Sequence, residues 1–254
     1  MLTVSPRPDD LLEDDKFHEE CALFGIYGTS DAGAHTALGL HALQHRGQEA
    51  SGIVTYDGKH FYDHRAPGLV GDIFGEPNVM SKLKGYCAIG HNRYATTGGG
   101  SERNIQPIFA DFDFGGLALA HNGNLTNAYL LRKELVRMGC LFQSTTDTEV
   151  INHLVARSNY STVVDRLIDA LQRVKGAYSL LLLSNEALFG VRDPLGVRPL
   201  VLGRLDDAWI LCSETCALDI IGARFVRDVE PGEIVIIDGN GVRSIKPFTK
   251  QLRR

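Results

Sequence analysis

The sequence changes character between Glu20 and Cys21, and that break decides where a folded body can begin. Residues 1–20 hold seven acidic and two basic side chains, are poorly patterned, and include Pro6 and Pro8. Such a segment buries too little apolar surface to offset its own ordering, so it reads as a flexible acidic leader. Directly after it, Cys21-Ala22-Leu23-Phe24-Gly25-Ile26-Tyr27 is an apolar run of strand length. Acids and bases are equal in number from residue 21 onward, so the net charge of -5 belongs to the leader. A body without basic excess has no electrostatic footprint for nucleic acid.

At 254 residues and 44% hydrophobic content, the chain can bury a full core. No apolar run is long enough to span a bilayer, and no basic segment leads into an apolar one as in a secretory signal. The five cysteines, Cys21, Cys87, Cys140, Cys212 and Cys216, are scattered and odd in number. They point to a reducing compartment rather than a disulfide framework, and the expected location is the cytoplasm.

The periodicity predicts a strand over 22–27 and a helix over 34–45 that closes at Arg46-Gly47. Runs 52–56 and 59–64 flank Asp57-Gly58 and predict a hairpin. Another apolar run covers 87–91 and leads into a polar, glycine-rich stretch, 93–101. A strand over 117–121 is expected to end in a turn at Asn122-Gly123-Asn124. Three helices follow, over 127–138, 146–158 and 162–174. The second opens on Thr146-Asp147-Thr148-Glu149, which fits a capping box. Short β-rich runs over 179–183, 188–192, 200–202, 209–212, 233–237 and 242–245 complete the chain. Hairpins with grouped helices, and no strict βαβ alternation, predict an α+β layered domain with largely antiparallel sheets. No strand–GxGxxG–helix unit and no phosphate-binding P-loop is present.

Five stretches could carry chemistry. Cys21 is either a buried structural thiol or a nucleophile. If residues 1–20 were removed, its own α-amino group, with a reference pKa of about 7.7–8.0, could take the thiol proton. His45-Arg46-Gly47 is a basic helix end with a glycine stop. Arg93, at a strand end, could clamp a carboxylate or pair with a surface acid. Asn122-Gly123 could aim a side-chain amide and a bare backbone N–H at one point, as an oxyanion hole needs, or could simply be a tight turn. Asp147 could hold a substrate ammonium or cap a helix.

The order Cys-Ala-Leu-Phe-Gly-Ile (21–26), Leu-Gln-His-Arg-Gly-Gln-Glu (43–49), Arg-Tyr-Ala-Thr-Thr-Gly (93–98), His-Asn-Gly-Asn (121–124) and Thr-Asp-Thr-Glu-Val (146–150) closely resembles the class II glutamine amidotransferases. These are N-terminal-nucleophile hydrolases with a four-layer αββα sandwich. Gln44–Glu49 and Arg93–Thr96 are spelled as in the amidophosphoribosyltransferase branch rather than the aminosugar synthases. Residues 192–200 and Ser213-Glu214-Thr215-Cys216-Ala217 fit the same branch, and the resemblance runs from residue 18 to about 250.

The resemblance implies L-glutamine as substrate and a γ-glutamyl thioester on Cys21, freed by loss of the leader. Asn122 and the Gly123 N–H would form the oxyanion hole. Arg93 would bind the α-carboxylate with Thr96 nearby, and Asp147 the α-ammonium. Arg46 and Gly47 would line the pocket beside the nucleophile. His91 and His121 read as structural, because the terminal amine already supplies a base. No metal or other cofactor is expected for this half-reaction.

The family also implies a phosphoribosyltransferase half that uses the ammonia, with Mg and, in some members, an iron–sulfur cluster. It implies a homo-oligomer for the full enzyme. No acidic run of the phosphoribosylpyrophosphate-binding type occurs before Arg254, so residues 21–254 are expected to be the glutaminase domain alone. An exposed apolar patch is expected where the other half would dock. Cys212 and Cys216 read as core residues rather than cluster ligands. A leader that is never removed would instead leave a non-catalytic binding module.

Overall fold

Alternation along the first strand, β1 (Ala22–Tyr27), sets the layering. Ala22, Phe24 and Ile26 belong to one core, while Leu23 belongs to another on the opposite face. A strand buried on both faces needs a cover on each side, which explains why its sequence is an unbroken apolar run.

The computed structural model describes residues 21–94 and 102–248; the leader and Thr96 lie outside them. After β1 come α1 (Ala32–Ala42), β2 (Ala50–Tyr56), β3 (Phe61–Pro67), the short α2 (Val70–Phe74) and α3 (Pro77–Met80), and β4 (Cys87–Arg93). The middle holds β5 (Ile108–Phe112), β6 (Gly115–Leu125), and the helices α4 (Ala128–Arg137), α5 (Thr148–Arg157) and α6 (Val163–Arg173). The last third supplies β7 (Gly176–Ser184), β8 (Leu188–Arg192), β9 (Val201–Leu205), β10 (Ala208–Cys212), α7 (Cys216–Asp219), β11 (Arg224–Asp228), β12 (Ile234–Asp238) and β13 (Gly241–Ile245).

The strands form a seven-stranded sheet, β11-β9-β10-β1-β4-β2-β3, and a six-stranded sheet, β13-β12-β8-β7-β6-β5. Every neighbouring pair is antiparallel. Three cores separate four layers. Leu23, Val54 and Ile89 meet Ala120, Leu181 and Val235 between the sheets. Phe24, Ile53 and Ile210 pack under Leu40, Ile73 and Leu218 of α1, α2 and α7. Leu180, Leu182 and Phe189 pack under Leu135, Ile151 and Leu167 of α4–α6. In β7, Leu180 and Leu182 face the helices while Leu181 and Leu183 face the other sheet. Each such fully buried leucine contributes about 1.5–3 kcal/mol of apolar transfer. The predicted αββα sandwich is the fold observed. Helix α1 seats closely because a side chain at Gly39 would meet the Phe24 ring at 2.2 Å.

Three local expectations are corrected. Asn122-Gly123-Asn124 is not a turn: β6 continues through it, with Asn122 opposite Ser179 and Gly123 opposite Tyr178. A glycine at φ +145 lets the strand keep its partner through an irregular residue, which sequence pattern alone reads as a stop. The capping box is absent: Glu149 accepts from the N–H groups of Gln143 and Ser144, both at 2.8 Å, and tethers the approach to α5 instead. The hairpin loop is longer than Asp57-Gly58, because Asp57 Oδ1 accepts from both Lys59 and His60 N–H and delays β3 to Phe61.

Exposed apolar side chains gather along α4 and just beyond it, at Tyr129, Leu130, Val136, Met138 and Leu141. No helix among the described residues is long and apolar enough to cross a membrane.

Candidate active site

Cys21 stands just before β1 at φ +70, a left-handed conformation that costs a residue bearing Cβ about 1–3 kcal/mol. Arg46 grips it on both sides. Cys21 N donates to the Arg46 carbonyl at 2.9 Å, and Arg46 Nε donates to the Cys21 carbonyl at 2.9 Å. The guanidinium is buried, 2% exposed, and its Nη1 bonds Glu214 Oε1. Glu214 Oε2 accepts from His45 Nε2 at 3.0 Å and lies 3.6 Å from the Cys216 thiol. Burial by itself would raise the Glu214 carboxyl, but Arg46 and then His45 outweigh it and hold it below its usual value. Glu214 is positioned by Ser213, which exchanges hydrogen bonds with the Leu23 backbone: Leu23 N–H to Ser213 Oγ at 2.9 Å, and Ser213 N–H to Leu23 O at 3.0 Å. The end of β10 is thereby laced to β1 just past Cys21.

Arg93 ends β4. Asn92 pairs with Ala22, so one further step of register sets Arg93 across from Cys21. Among the described residues its guanidinium has no hydrogen-bond or ion-pair partner. Gly47 packs on the Arg93 backbone: a Cβ there would lie 2.7 Å from the Arg93 carbonyl carbon. Cys21 Sγ is 4.0 Å from the carbonyl of Tyr94, the last described residue before the stretch that contains Thr96.

The second sheet joins this end of the first through two histidines. His91 Nε2–H donates to the His121 carbonyl at 3.2 Å. His121 Nδ1 lies 3.3 Å from Thr148 Oγ1 and 3.3 Å from Asp147 Oδ1, and Asp147 Oδ2 accepts from Leu125 N–H at 2.9 Å. Burial pushes the Asp147 carboxyl up, but His121 and the hydrogen bonds to backbone N–H outweigh it, so it titrates below its usual value. Next to His121, Asn122 is fully buried with neither amide atom hydrogen-bonded among the described residues. A Cβ at Gly123 would lie 2.1 Å from Ala177 O.

His91 is enclosed, and burial pushes its pKa down to about 3. The unfolded imidazole takes a proton near 6.5. The unfolded chain therefore binds more protons as pH falls from 6.5 towards 3, and stability drops across that window by up to about 1.4 kcal/mol per unit. The lowered carboxyls of Asp147 and Glu214 lose their contributions only at lower pH, as each is protonated through its folded-state value. The urea midpoint is expected to fall between pH 6.5 and 4.5, and His91→Gln is expected to flatten that fall. An equal slope in the variant would remove His91 as its source.

His45, Glu214 and Cys216 bring metal-type ligand atoms within 4.8 Å of one another, the one such group found among the described residues. Its carboxylate is already committed to Arg46 and His45, which makes it an ion-pair network rather than a vacant ligand set. Cys212 is buried in the core and directs its thiol to the Glu214 carbonyl at 3.3 Å.

Cys21, Arg46, Gly47 and Arg93 thus share one end of the first sheet, and the His91–His121 link joins it to β6, where Asn122 and Gly123 follow His121, and to Asp147 at the start of α5. The sequence reading passed over Glu214 and Ser213 as individual residues, although a polar Ser-Glu pair directly after the apolar run of β10 was the available signal. It also passed over Gln106, whose Oε1 accepts from His121 N–H at 2.7 Å.

A family model described as a glutamine amidotransferase domain matches residues 91–219, just over half of the chain. The chain is similar to the amidophosphoribosyltransferase of Rhizobium etli, 56% identical over 230 residues that cover 91% of this chain and 46% of that protein. It is 46% identical to the Bacillus subtilis amidophosphoribosyltransferase, covering 93% of this chain and 50% of that protein. Among solved structures it matches glutamine phosphoribosylpyrophosphate amidotransferase from B. subtilis complexed with ADP and GMP. There the TM-score is 0.86 at 44% identity, over 90% of this chain and 50% of that one. A class-II glutamine aminotransferase domain protein from Silicibacter pomeroyi shares the fold, with TM-score 0.62 at 16% identity, over 90% of this chain and all of that one. The chain spans about half the length of the curated relatives it matches. On the family match, the fold and these relatives together, the chain belongs to the glutamine amidotransferase domain family, in the form carried by the amidophosphoribosyltransferases.

Proposed function

We propose that residues 21–254 hydrolyse L-glutamine through Cys21, and that the ammonia serves phosphoribosylamine formation from phosphoribosylpyrophosphate in purine synthesis. The observation that carries the hydrolytic reading is the fully buried Asn122 amide beside Gly123, which has no hydrogen-bond partner among the described residues. Buried polar groups in native folds are nearly always paired, so an amide left in that condition calls for a partner, and a ligand atom can supply it. Here the missing partner is the oxyanion formed from the glutamine side-chain carbonyl.

Once residues 1–20 are removed, the Cys21 α-amine takes the thiol proton, and the thiolate attacks the side-chain amide carbon. The tetrahedral oxyanion rests on Asn122 Nδ2 and the Gly123 N–H. Collapse of the intermediate passes a proton from the α-ammonium to the departing nitrogen, which leaves as ammonia. Water, deprotonated by the same amine, then cleaves the thioester to glutamate and restores the thiol. Arg93 binds the α-carboxylate with Thr96 beside it, and Asp147 takes the α-ammonium. Arg46 and Gly47 shape the wall behind the nucleophile. None of these steps calls on a metal ion. The partner for the second half-reaction is a phosphoribosyltransferase domain, with its Mg and any iron–sulfur cluster, in a homo-oligomeric enzyme.

The left-handed φ of +70 at Cys21 favours the processed form, because a chain that begins at Cys21 has no preceding peptide to hold in that costly conformation.

The test is intact mass before and after treatment with a diazoketone analogue of glutamine. Loss of residues 1–20 and one adduct on Cys21 are expected. A full-length chain that takes no adduct would sink the proposal in favour of a non-catalytic binding module. Arg93→Ala should raise KM for glutamine about 100-fold, since one partner of a charge-assisted pair is removed, and kcat should move far less. A normal KM would assign the carboxylate to another group.

A further inference from the structure

The proposed chemistry uses Arg46 as a wall of the pocket and leaves its ion-pair partner Glu214, with His45 behind it, without a part. We infer that Glu214 is a positioning residue of the Cys21 site: through Arg46 it fixes the backbone of the nucleophile and balances the cation buried beside its α-amino group. The inference rests on the glutaminase reading above and deepens it.

Arg46 alone could not do this. Its side chain is 2% exposed, and a buried guanidinium without a counter-charge is strongly disfavoured. Glu214 supplies that charge and directs the fork, so that Nε points at the Cys21 carbonyl while Nη1 is occupied by the carboxylate. The Arg46 main chain then accepts from Cys21 N. In the processed chain that nitrogen is the amine, so one of its hydrogens is fixed and its lone pair is left for the thiol proton. Glu214 is itself held from β10 and α7, where Ser213 is bonded to Leu23 and Cys216 lies against Oε2.

The charged and titratable groups around the amine come from every neighbouring element. They are Arg46 and His45 from the turn at 44–46, Arg93 and His91 from β4, His121 from β6, Glu214 and Cys216 beyond β10, and Asp147 at the start of α5. With Glu214 neutralised, Arg46 and Arg93 face the amine with less opposing charge. Its protonated form is then disfavoured, and the acid limb of reactivity moves to lower pH.

The experiment follows adduct formation on Cys21 by the diazoketone analogue from pH 5 to 9, with thermal midpoints, in wild type, Glu214→Gln, Glu214→Asp and Cys21→Ser. In Glu214→Gln the rate is expected to fall about 10- to 100-fold, because the nucleophile is no longer held in register. Its acid limb is expected to move down by roughly half a unit to one unit. Glu214→Asp keeps the charge, so its limb should stay in place while its rate falls by less than about tenfold. A Glu214→Gln protein with wild-type rate and limb overturns the inference, even if its thermal midpoint drops. Where Glu214→Gln does not fold, Glu214→Asp decides: slower labelling with an unmoved limb supports the inference, and a wild-type rate overturns it. A wild-type chain that takes no adduct overturns the glutaminase reading and this inference together. A normal wild-type adduct with unaffected variants overturns this inference alone.

Discussion

Cys21→Ser is expected to lower glutamine hydrolysis by about 10⁴-fold or more, the scale on which removal of a catalytic nucleophile acts. The fold should survive it. The substitution changes one atom at a half-exposed position before β1, and the described Sγ contact, 4.0 Å to Tyr94 O, is too long to hold much energy. A serine hydroxyl is a far poorer acid than a thiol, so an amine titrating near neutrality does not generate its anion. The other cysteines are poor substitutes. Burial pushes Cys87 up to about 12 and raises Cys212 further, while burial and the neighbouring Glu214 carboxylate raise Cys216. Cys140 packs against the helical layer on the far face of the second sheet. Glutamate release, measured together with a thermal midpoint, checks the expectation. Residual activity above about one per cent with an unchanged midpoint would place the nucleophile elsewhere.

The layers were legible because antiparallel strands buried on both faces leave a distinctive trace. Runs such as Leu180-Leu181-Leu182-Leu183 are too short for a long helix and too apolar for a solvent-facing strand, and each face of β7 meets a different core. Strand β11 escaped notice because it is an edge: Arg224, Phe225 and Val226 are exposed, and a bulge at 225–227 breaks its alternation. The candidate site was legible where a residue type is chemically unusual for its place, as with a thiol at the head of the body or an arginine at a strand end. Its supports were not. Ser213, Glu214 and Gln106 act through hydrogen bonds to residues far away in sequence, such as Leu23 and Arg46, and local pattern holds no record of such pairs. Asn122-Gly123 shows the same limit from the other side. The dipeptide has a strong local meaning as a turn, and pairing with Tyr178 and Ser179 overrode it.

That override makes Gly123→Ala and Asn122→Ala an informative pair. The alanine Cβ at 123 would sit 2.1 Å from Ala177 O and 2.8 Å from Tyr178 Cα, at a φ of +145 that a side chain rarely adopts. Backbone must move on β6 or β7, so Gly123→Ala is expected to cost about 2–4 kcal/mol of stability. The displaced N–H should lower glutamine hydrolysis about 10²–10³-fold. Asn122→Ala removes a comparable donor and should lose activity on the same scale, yet stability should change little. Its amide is fully buried without a partner among the described residues, so deleting it relieves a desolvation penalty of about 1–3 kcal/mol that offsets the small cavity left behind. Urea unfolding beside kcat separates the two. Should Asn122→Ala instead lose several kcal/mol and keep its turnover, the amide would be a structural group with an unseen partner, and the oxyanion would have to be stabilised elsewhere.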